Sequence, residues 1–214
     1  MRTLEVTVDL VEPISTRFTA GQFMQFKIGS VLRSYSIINV PDHNRFLKFC
    51  VGLLDNGEAS DFFRSAKIGQ ELFMRGPSGI FSIENFSKNS FFVAGGVGIA
   101  PFCSMIPDML ARSYEGKAHL LFGVATEDDI FYFDRFNHLH NLYPNFTFTP
   151  IVSRPQLHWP GETGRVTTYL DVAYEYYKDY LYYICGSSEM VKDARDLLLK
   201  KGQNIADIKL EIFT

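Results

Sequence analysis

Phe91-Phe92-Val93-Ala94-Gly95-Gly96-Val97-Gly98-Ile99-Ala100-Pro101 is the stretch on which the fold turns. Its first four residues are a continuous apolar run, as a strand buried on both faces requires. The glycines that follow let backbone come close to a ligand. Pro101 suits the first turn of a helix, predicted over Pro101 to Arg112 with Pro107 inside it as a source of a kink. A strand, a glycine turn and a helix N-terminus together offer free N–H groups to a phosphate. The spacing is not G-x-G-x-x-G, and a tight turn packed under a helix accounts for it equally well.

Downstream of this stretch the pattern stays strand then helix. His119 to Ala125, Phe146 to Ser153, Tyr180 to Ile184 and Ile208 to Phe213 read as strands, and Phe133 to Leu142 as a helix. The clearest helix carries Met190, Val191, Ala194, Leu197 and Leu198 at helical spacing and ends at Gly202. Alternating β and α elements predict a parallel sheet with helices on both faces. Upstream, the period is two. Leu4, Val6, Val8 and Leu10 alternate with Glu5, Thr7 and Asp9, and Met24, Phe26 and Ile28 share a face. Ser34 to Ile38, Phe46 to Leu53 and Glu71 to Arg75 are further short strands. Turn signals separate them at Pro41-Asp42-His43-Asn44, Asp55-Asn56-Gly57 and Gly76-Pro77-Ser78-Gly79. This spacing predicts a small antiparallel barrel. The chain is therefore expected to hold two domains, residues 1–88 as a β-barrel and residues 89–214 as an α/β parallel-sheet domain.

Composition narrows the function. The 214 residues are 46% hydrophobic and 21% charged, with a formal net charge of −3. That is globular, and it gives no support for nucleic-acid binding. Residues 1–88 carry ten basic and nine acidic side chains, so the acidic excess lies in the second part. Cys50, Cys103 and Cys185 are far apart, so zinc ribbons, redox C-x-x-C pairs and an internal iron–sulfur cluster lack ligands. His138 and His140 point apart on a helix and no metal site is expected. No run reaches membrane-spanning length, and Met1-Arg2-Thr3-Leu4-Glu5 does not open a signal peptide, so a cytoplasmic protein is expected. Asn85-Phe86-Ser87 and Asn145-Phe146-Thr147 match glycosylation acceptors without a secretory context. Twenty Phe and eleven Tyr are core material first, and a stacking surface for a flat cofactor second.

Four short strings carry chemistry, and each has an ordinary structural reading beside it. Arg33-Ser34-Tyr35-Ser36 combines a pyrophosphate-binding guanidinium, a stacking ring and a hydroxyl, and equally describes a plain strand. Gly57-Glu58-Ala59-Ser60 reads as a phosphate cradle or a helix cap, ahead of a short helix beginning near Asp61. Gly95 to Pro101 is the turn described above. Cys185-Gly186 closes a strand at the carboxyl end, where parallel sheets bind ligands, although a buried Cys is usually only a small apolar residue.

These strings occur in a fixed order: Arg33-x-Tyr35-Ser36, Gly95-Gly96-x-Gly98-x-x-Pro101, Cys185-Gly186-x-x-x-Met190 and Glu211-x-Phe213. In that order the chain resembles the ferredoxin–NADP reductase family of flavoenzymes along nearly its whole length. Ala20-Gly21-Gln22-Phe23, Gly76-Pro77-Ser78-Gly79-Ile80-Phe81, and Ser153-Arg154-Pro155 followed by Gly161 to Val166 add to the likeness. The resemblance implies an FAD-binding barrel, which here lacks the family's first strand, followed by an NAD(P)-binding domain. By that resemblance Arg33 holds the FAD pyrophosphate, and Tyr35 and Ser36 contact the isoalloxazine. The backbone of Phe49, Cys50 and Val51, and of Gly57, Ala59 and Ser60, lines the rest of FAD. Gly96, Val97 and Gly98 approach the nicotinamide dinucleotide, with Gly186 and Met190 beside them. Cys185 lies near the nicotinamide C4 and flavin N5, Glu211 is nearby, and Phe213 takes the place of a ring-stacking aromatic. Ser36, Cys185 and Glu211 are the catalytic candidates.

Departures from the family pattern are Ala20 in place of proline, Thr214 after the last aromatic, and a Gly123-Val124-Ala125-Thr126 segment without arginine. Arg154 and Arg165, with Ser153, are left to pair a 2′-phosphate, which tilts the coenzyme toward NADPH without excluding NADH. The implied activity is hydride transfer from NAD(P)H to FAD, then electron transfer to a separate acceptor, either a protein such as a ferredoxin or oxygenase component or a small molecule. Two alternatives stand beside it: an NAD(P)H:flavin reductase that releases its flavin, and a non-catalytic subunit of a larger complex.

Overall fold

Period-two alternation in the first part of the chain resolves into half-buried strands. The computed structural model describes residues 2–42 and 45–213, so the last two positions of the Pro41-Asp42-His43-Asn44 turn, together with Met1 and Thr214, lie outside the described residues. Strand β1 (Arg2–Asp9) pairs antiparallel with β4 (Phe46–Leu53) in unbroken register, from Arg2 opposite Leu53 to Asp9 opposite Phe46. Strand β2 (Phe23–Ile28) lies between β3 (Val31–Ser36) and β5 (Phe73–Ser78), antiparallel to both. An isolated bridge between Ile37 and Phe49 links the two sheets. Helix α1 (Glu58–Ser65) closes the core with Phe63. Met24, Phe26, Ile28, Ile37, Leu47, Phe49 and Val51 fill the space between the sheets. Each fully buried Phe or Ile contributes about 1.5–3 kcal/mol relative to exposure. Among the described residues β1 pairs only with β4 and β5 only with β2, so both outer edges are open.

Three elements of this first part depart from the sequence expectation by more than one residue. Strand β3 starts at Val31 rather than Ser34, because the Gly29-Ser30 turn pairs it with β2. Strand β5 runs through Gly76-Pro77-Ser78, which reads as a turn. A register shift against Phe23 and Gln25 absorbs the extra residues on an edge strand, where proline's missing donor is tolerated. Helix α1 begins at Glu58, three residues before Asp61, because Gly57 at φ +150° turns the chain directly into it.

The second part is a six-stranded parallel sheet. In chain order it contains β6 (Ser90–Gly95), a 3-10 turn (Gly96–Ile99), α2 (Ala100–Ala111), β7 (Ala118–Val124), α3 (Phe133–Leu142), β8 (Phe146–Val152), β9 (Glu162–Thr163), α4 (Val166–Tyr177), β10 (Leu181–Ser187), α5 (Ser188–Lys200) and β11 (Ile208–Phe213). The strand order is β11-β10-β6-β7-β8-β9, every neighbouring pair parallel. One face of the sheet carries Phe91, Val93, Leu121, Ile151, Tyr182 and Ile184, packed against α4 and α5 through Leu170, Tyr174, Val191, Ala194 and Leu198. On the opposite face, Phe148 meets Phe136 of α3 at 5.5 Å between ring centres. Pro107 lies within α2. Strand β9 and helix α4 are absent from the sequence expectation. Helix α4 reads Val-Thr-Thr-Tyr-Leu-Asp-Val-Ala-Tyr-Glu-Tyr-Tyr, rich in β-branched and aromatic residues that favour strands. Burial of Val166, Leu170 and Tyr174, four apart, against the sheet overrides that preference. Helix α5 is capped by Ser187, whose Oγ accepts from the Met190 amide at 3.3 Å, and Gly202 at φ +97° follows its end.

The chain divides into two compact units: residues up to Ile83 together with Ala100–Asp108, and Glu84–Ile99 together with Met109 onward. Most of α2 thus groups with the antiparallel unit. Inside that unit the Gly21 amide donates to Ser104 Oγ at 3.0 Å, and Phe81 contacts Phe102 at 5.8 Å between ring centres. A side chain at Gly21 would meet the Phe81 carbonyl at 1.9 Å, which explains that glycine. No described helix is long and apolar enough to cross a membrane.

Candidate cofactor sites

In the antiparallel unit, β3 and the start of α1 come together. Arg33 is exposed, and its Nη1 donates to the Leu32 carbonyl at 3.0 Å. Its charge acts on both Tyr35 and Glu58. The Tyr35 ring packs edge-on against Phe26 at 5.1 Å and Phe63 at 5.6 Å. Burial raises its phenol pKa, with Arg33 opposing, so the ring stays uncharged. Ser36 is buried, opposite Phe23. Helix α1 has no side-chain cap, so its first amides remain available. Gly57 has open space where a side chain would go. Glu58, which carries no sequence signal of its own, is held by the Ser30 amide and hydroxyl, each at 2.9 Å. Those bonds lower its pKa, so it stays ionised. Ser60 is occupied locally: its Oγ accepts from the Leu54 amide at 2.9 Å. Phe49 and Val51 point into the core, so any contact from them is through backbone, and Cys50 between them in sequence is buried.

In the parallel unit, the carboxyl ends of β6, β10 and β11 converge. Gly98 lies under the end of β10, where a Cβ would come within 2.3 Å of the Cys185 carbonyl and 2.6 Å of the Gly186 Cα. Gly95 and Gly186 both pack on Met190, each leaving 2.6 Å for a would-be Cβ. Gly96 differs: it sits at φ +53° with no atom within 4 Å of a would-be Cβ. The backbone is therefore locked on one side of this turn and open on the other. Cys185 is fully buried, and burial first, then the charge of Glu211, raise its thiol pKa well above the ordinary value. Glu211 stands opposite Cys185 in the β10–β11 register, and Phe213 opposite Ser187. At the carboxyl end of β8, the Ser153 and Arg154 amides donate to the Val124 and Ala125 carbonyls at 3.0 and 2.8 Å. Arg154 and Arg165 are exposed, and Arg165 is the N-cap of α4. Beside them Glu127, unmarked in the sequence, accepts from the Gln156 amide at 2.6 Å and pins the loop after β8.

Comparison with known proteins agrees with both halves. Residues 3–83 match the oxidoreductase FAD-binding domain family, and residues 92–196 match the oxidoreductase NAD-binding domain family. The chain belongs to the ferredoxin–NADP reductase-like flavoenzymes. A ferredoxin NADP+ reductase from Neisseria gonorrhoeae, solved with FAD and NADP bound, superposes with a TM-score of 0.84 at 24% identity, covering 98% of this chain and 92% of that one. The Amycolatopsis cytochrome P450 reductase GcoB gives a TM-score of 0.90 at 24% identity over 99% of this chain and 65% of that one. At these identities the likeness speaks for the fold. The anthranilate 1,2-dioxygenase electron transfer component of Acinetobacter baylyi is 31% identical over 193 residues, which is 89% of this chain and 56% of that protein. The chain thus spans little more than half the length of this curated relative.

The residues present fit the two groups this flavoenzyme family implies. An open glycine and uncapped amides at α1, with a guanidinium nearby, suit a pyrophosphate. The open side of Gly96, at the carboxyl end of a parallel sheet, suits close approach of a dinucleotide.

Proposed function

We propose that this chain is an NAD(P)H-dependent FAD oxidoreductase that passes electrons to a separate acceptor. What supports the proposal is that one chain carries both family domains and, in each, an open glycine turn at a helix start. The flavin domain is taken as residues 1–88 and the dinucleotide domain as residues 89–214. Bound flavin supplies the two-electron to one-electron conversion, and the protein supplies binding and placement.

In this reading Arg33 and the amides from Gly57 to Ser60 hold the flavin's phosphates. Tyr35, kept neutral by burial, offers its ring. Ser36 contributes a hydroxyl held in place by the strand, and Phe49, Cys50 and Val51 contribute backbone. Gly96, Val97 and Gly98 admit the coenzyme phosphates, and Gly186 and Met190 shape the wall beside them. Cys185 stays a thiol at neutral pH, which keeps a small, uncharged, polarisable atom at the strand end. Glu211 supplies the nearby carboxylate and Phe213 the aromatic ring. Arg154 and Arg165 offer positive charge to a 2′-phosphate, which favours NADPH over NADH, and Ser153, whose Oγ donates to the Val124 carbonyl at 3.2 Å, holds the loop beside them. The acceptor is a redox protein or a small molecule, as the name of the Acinetobacter relative, an electron transfer component, suggests. Three reduced cysteines, all buried, suit the reducing cytoplasm.

The test is flavin retention. The purified protein is expected to be yellow and to release one FAD per chain on denaturation. A colourless protein that reduces added free flavin would move the assignment to a flavin reductase, and a protein inert with every acceptor would move it to a non-catalytic subunit.

A further inference from the structure

A concavity lies on the α4 side of the parallel unit. It has a volume of about 440 Å³ and is bordered by Tyr169, Tyr176 and Tyr177 of α4, Ile151 of β8, and Glu162 of β9. The strand ends that face the coenzyme turn contribute nothing to it.

Three observations define what it accepts. The hydroxyls of the two inner tyrosines are already engaged. His119 is buried, with Nδ1 at 2.9 Å from Tyr177 Oη and Nε2 at 2.9 Å from Thr149 Oγ1. The Tyr169 hydroxyl interacts with both Thr149 and Tyr177. A neutral imidazole and three hydroxyls each have one proton to give and a lone pair to receive it, so the group can satisfy itself in a closed ring. Those two tyrosines therefore offer an occupant aromatic surface rather than a hydroxyl donor, and the hydroxyl-bearing Thr163, Thr168 and Tyr176 also border the cavity. The only charged side chain on the border is a carboxylate, Glu162, and no lysine or arginine lines the cavity. Among the described residues no ion pair takes up that carboxylate, and its strand is fixed by the Trp159 indole, which donates to the Glu162 carbonyl at 2.9 Å. The carboxylate also acts electrostatically on the Tyr169 phenol, so the negative group and the rings share one space.

From the three tyrosine rings and the single unpaired carboxylate around this cavity, we infer a binding site for a small organic cation, an alkylated ammonium with a short apolar arm. Ring faces attract such a cation through their quadrupoles, and the carboxylate adds a second attraction. Phosphates and carboxylates are repelled by the same carboxylate. The site is independent of the flavin and coenzyme assignment.

Choline and its uncharged isostere 3,3-dimethylbutan-1-ol distinguish a cation site from a merely apolar hollow. In amide NMR of the full chain, choline is expected to shift Thr163, Tyr169 and Ala173 saturably, with the isostere binding about tenfold more weakly. Glu162→Gln should weaken choline several-fold and leave the isostere unchanged. Tyr176→Ala, at a side chain that is 83% exposed, should weaken choline without disturbing the fold. Equal affinity for the two probes, shifts centred elsewhere, an absence of saturation, or indifference of choline binding to both substitutions would each overturn the inference.

Discussion

Gly57 and Gly96 both sit at positive φ, both have empty space in place of a side chain, and both precede a helix. Their surroundings differ. Around Gly57 the determinants are charges and free amides: Arg33, the uncapped start of α1, and Glu58 tied back to Ser30. Around Gly96 no charged side chain stands between Gly95 and Pro101, and the determinants are steric: Gly95, Gly98 and Gly186 permit backbone and Met190 to close up behind the open side. In the proposed reading the first turn recognises an anion by electrostatics and the second by shape and backbone donors. Substitutions should therefore separate the two.

The largest effect is expected at Gly98. A methyl there meets the Cys185 carbonyl, which is backbone and cannot swing aside. Gly98→Ala should cost about 1–3 kcal/mol of stability in the parallel unit, read by urea unfolding, and abolish coenzyme binding. Gly96→Ala should cost only about 1 kcal/mol, from its left-handed backbone, and act mainly on coenzyme affinity. Equal costs at the two positions would erase the distinction between the closed and open sides.

His119 comes next. Burial, then the charge of His140, lower its pKa from 6.5 to about 4. The folded state therefore disfavours the protonated ring. This stability is fully present above about pH 6.5, erodes as the unfolded chain begins to take up the proton, and is gone once pH falls through about 4. The loss should reach about 3 kcal/mol across that window, and His119→Gln should flatten it. A stability curve of unchanged slope in the variant would contradict the assignment.

Arg33→Ala is expected to weaken FAD binding about tenfold and to reduce the dependence of FAD affinity on salt, because a charged contact is removed. Affinity for NADH, which lacks the 2′-phosphate proposed to meet Arg154 and Arg165, should show weak salt dependence by comparison. Titration of flavin fluorescence at two ionic strengths reads both.

Much of this was legible in the sequence, and the limits have physical causes. Alternation in Leu4 to Leu10 and Phe23 to Ile28 gave half-buried strands because one face of each meets the core. The run from Phe91 to Ala94 gave a strand buried on both faces. The Gly95 to Pro101 turn was visible because glycine and proline act locally on the backbone. Strand β5 was misjudged at Gly76-Pro77, where a bulge on an edge strand accommodates residues that normally end one. Helix α4 was hidden because its Val, Thr and Tyr content argues for a strand, and only burial against the sheet decides otherwise. The His119 group was out of reach, since its partners Thr149 and Tyr177 lie 30 and 58 residues away and only register and packing bring them together. Glu58 and Glu127 were missed for the same reason: each is an ordinary acidic residue until Ser30 or Gln156 closes on it.

On the proposed reading, one chain carries a flavin and reduces it with a nicotinamide coenzyme. Anaerobic stopped-flow mixing of the flavin-loaded protein with NADH or NADPH tests it directly. Flavin absorbance should bleach at a rate that saturates with coenzyme, faster with NADPH, and Cys185→Ser should slow the bleaching while FAD remains bound. Flavin that stays oxidised with both coenzymes in a protein that binds FAD would overturn the proposed function.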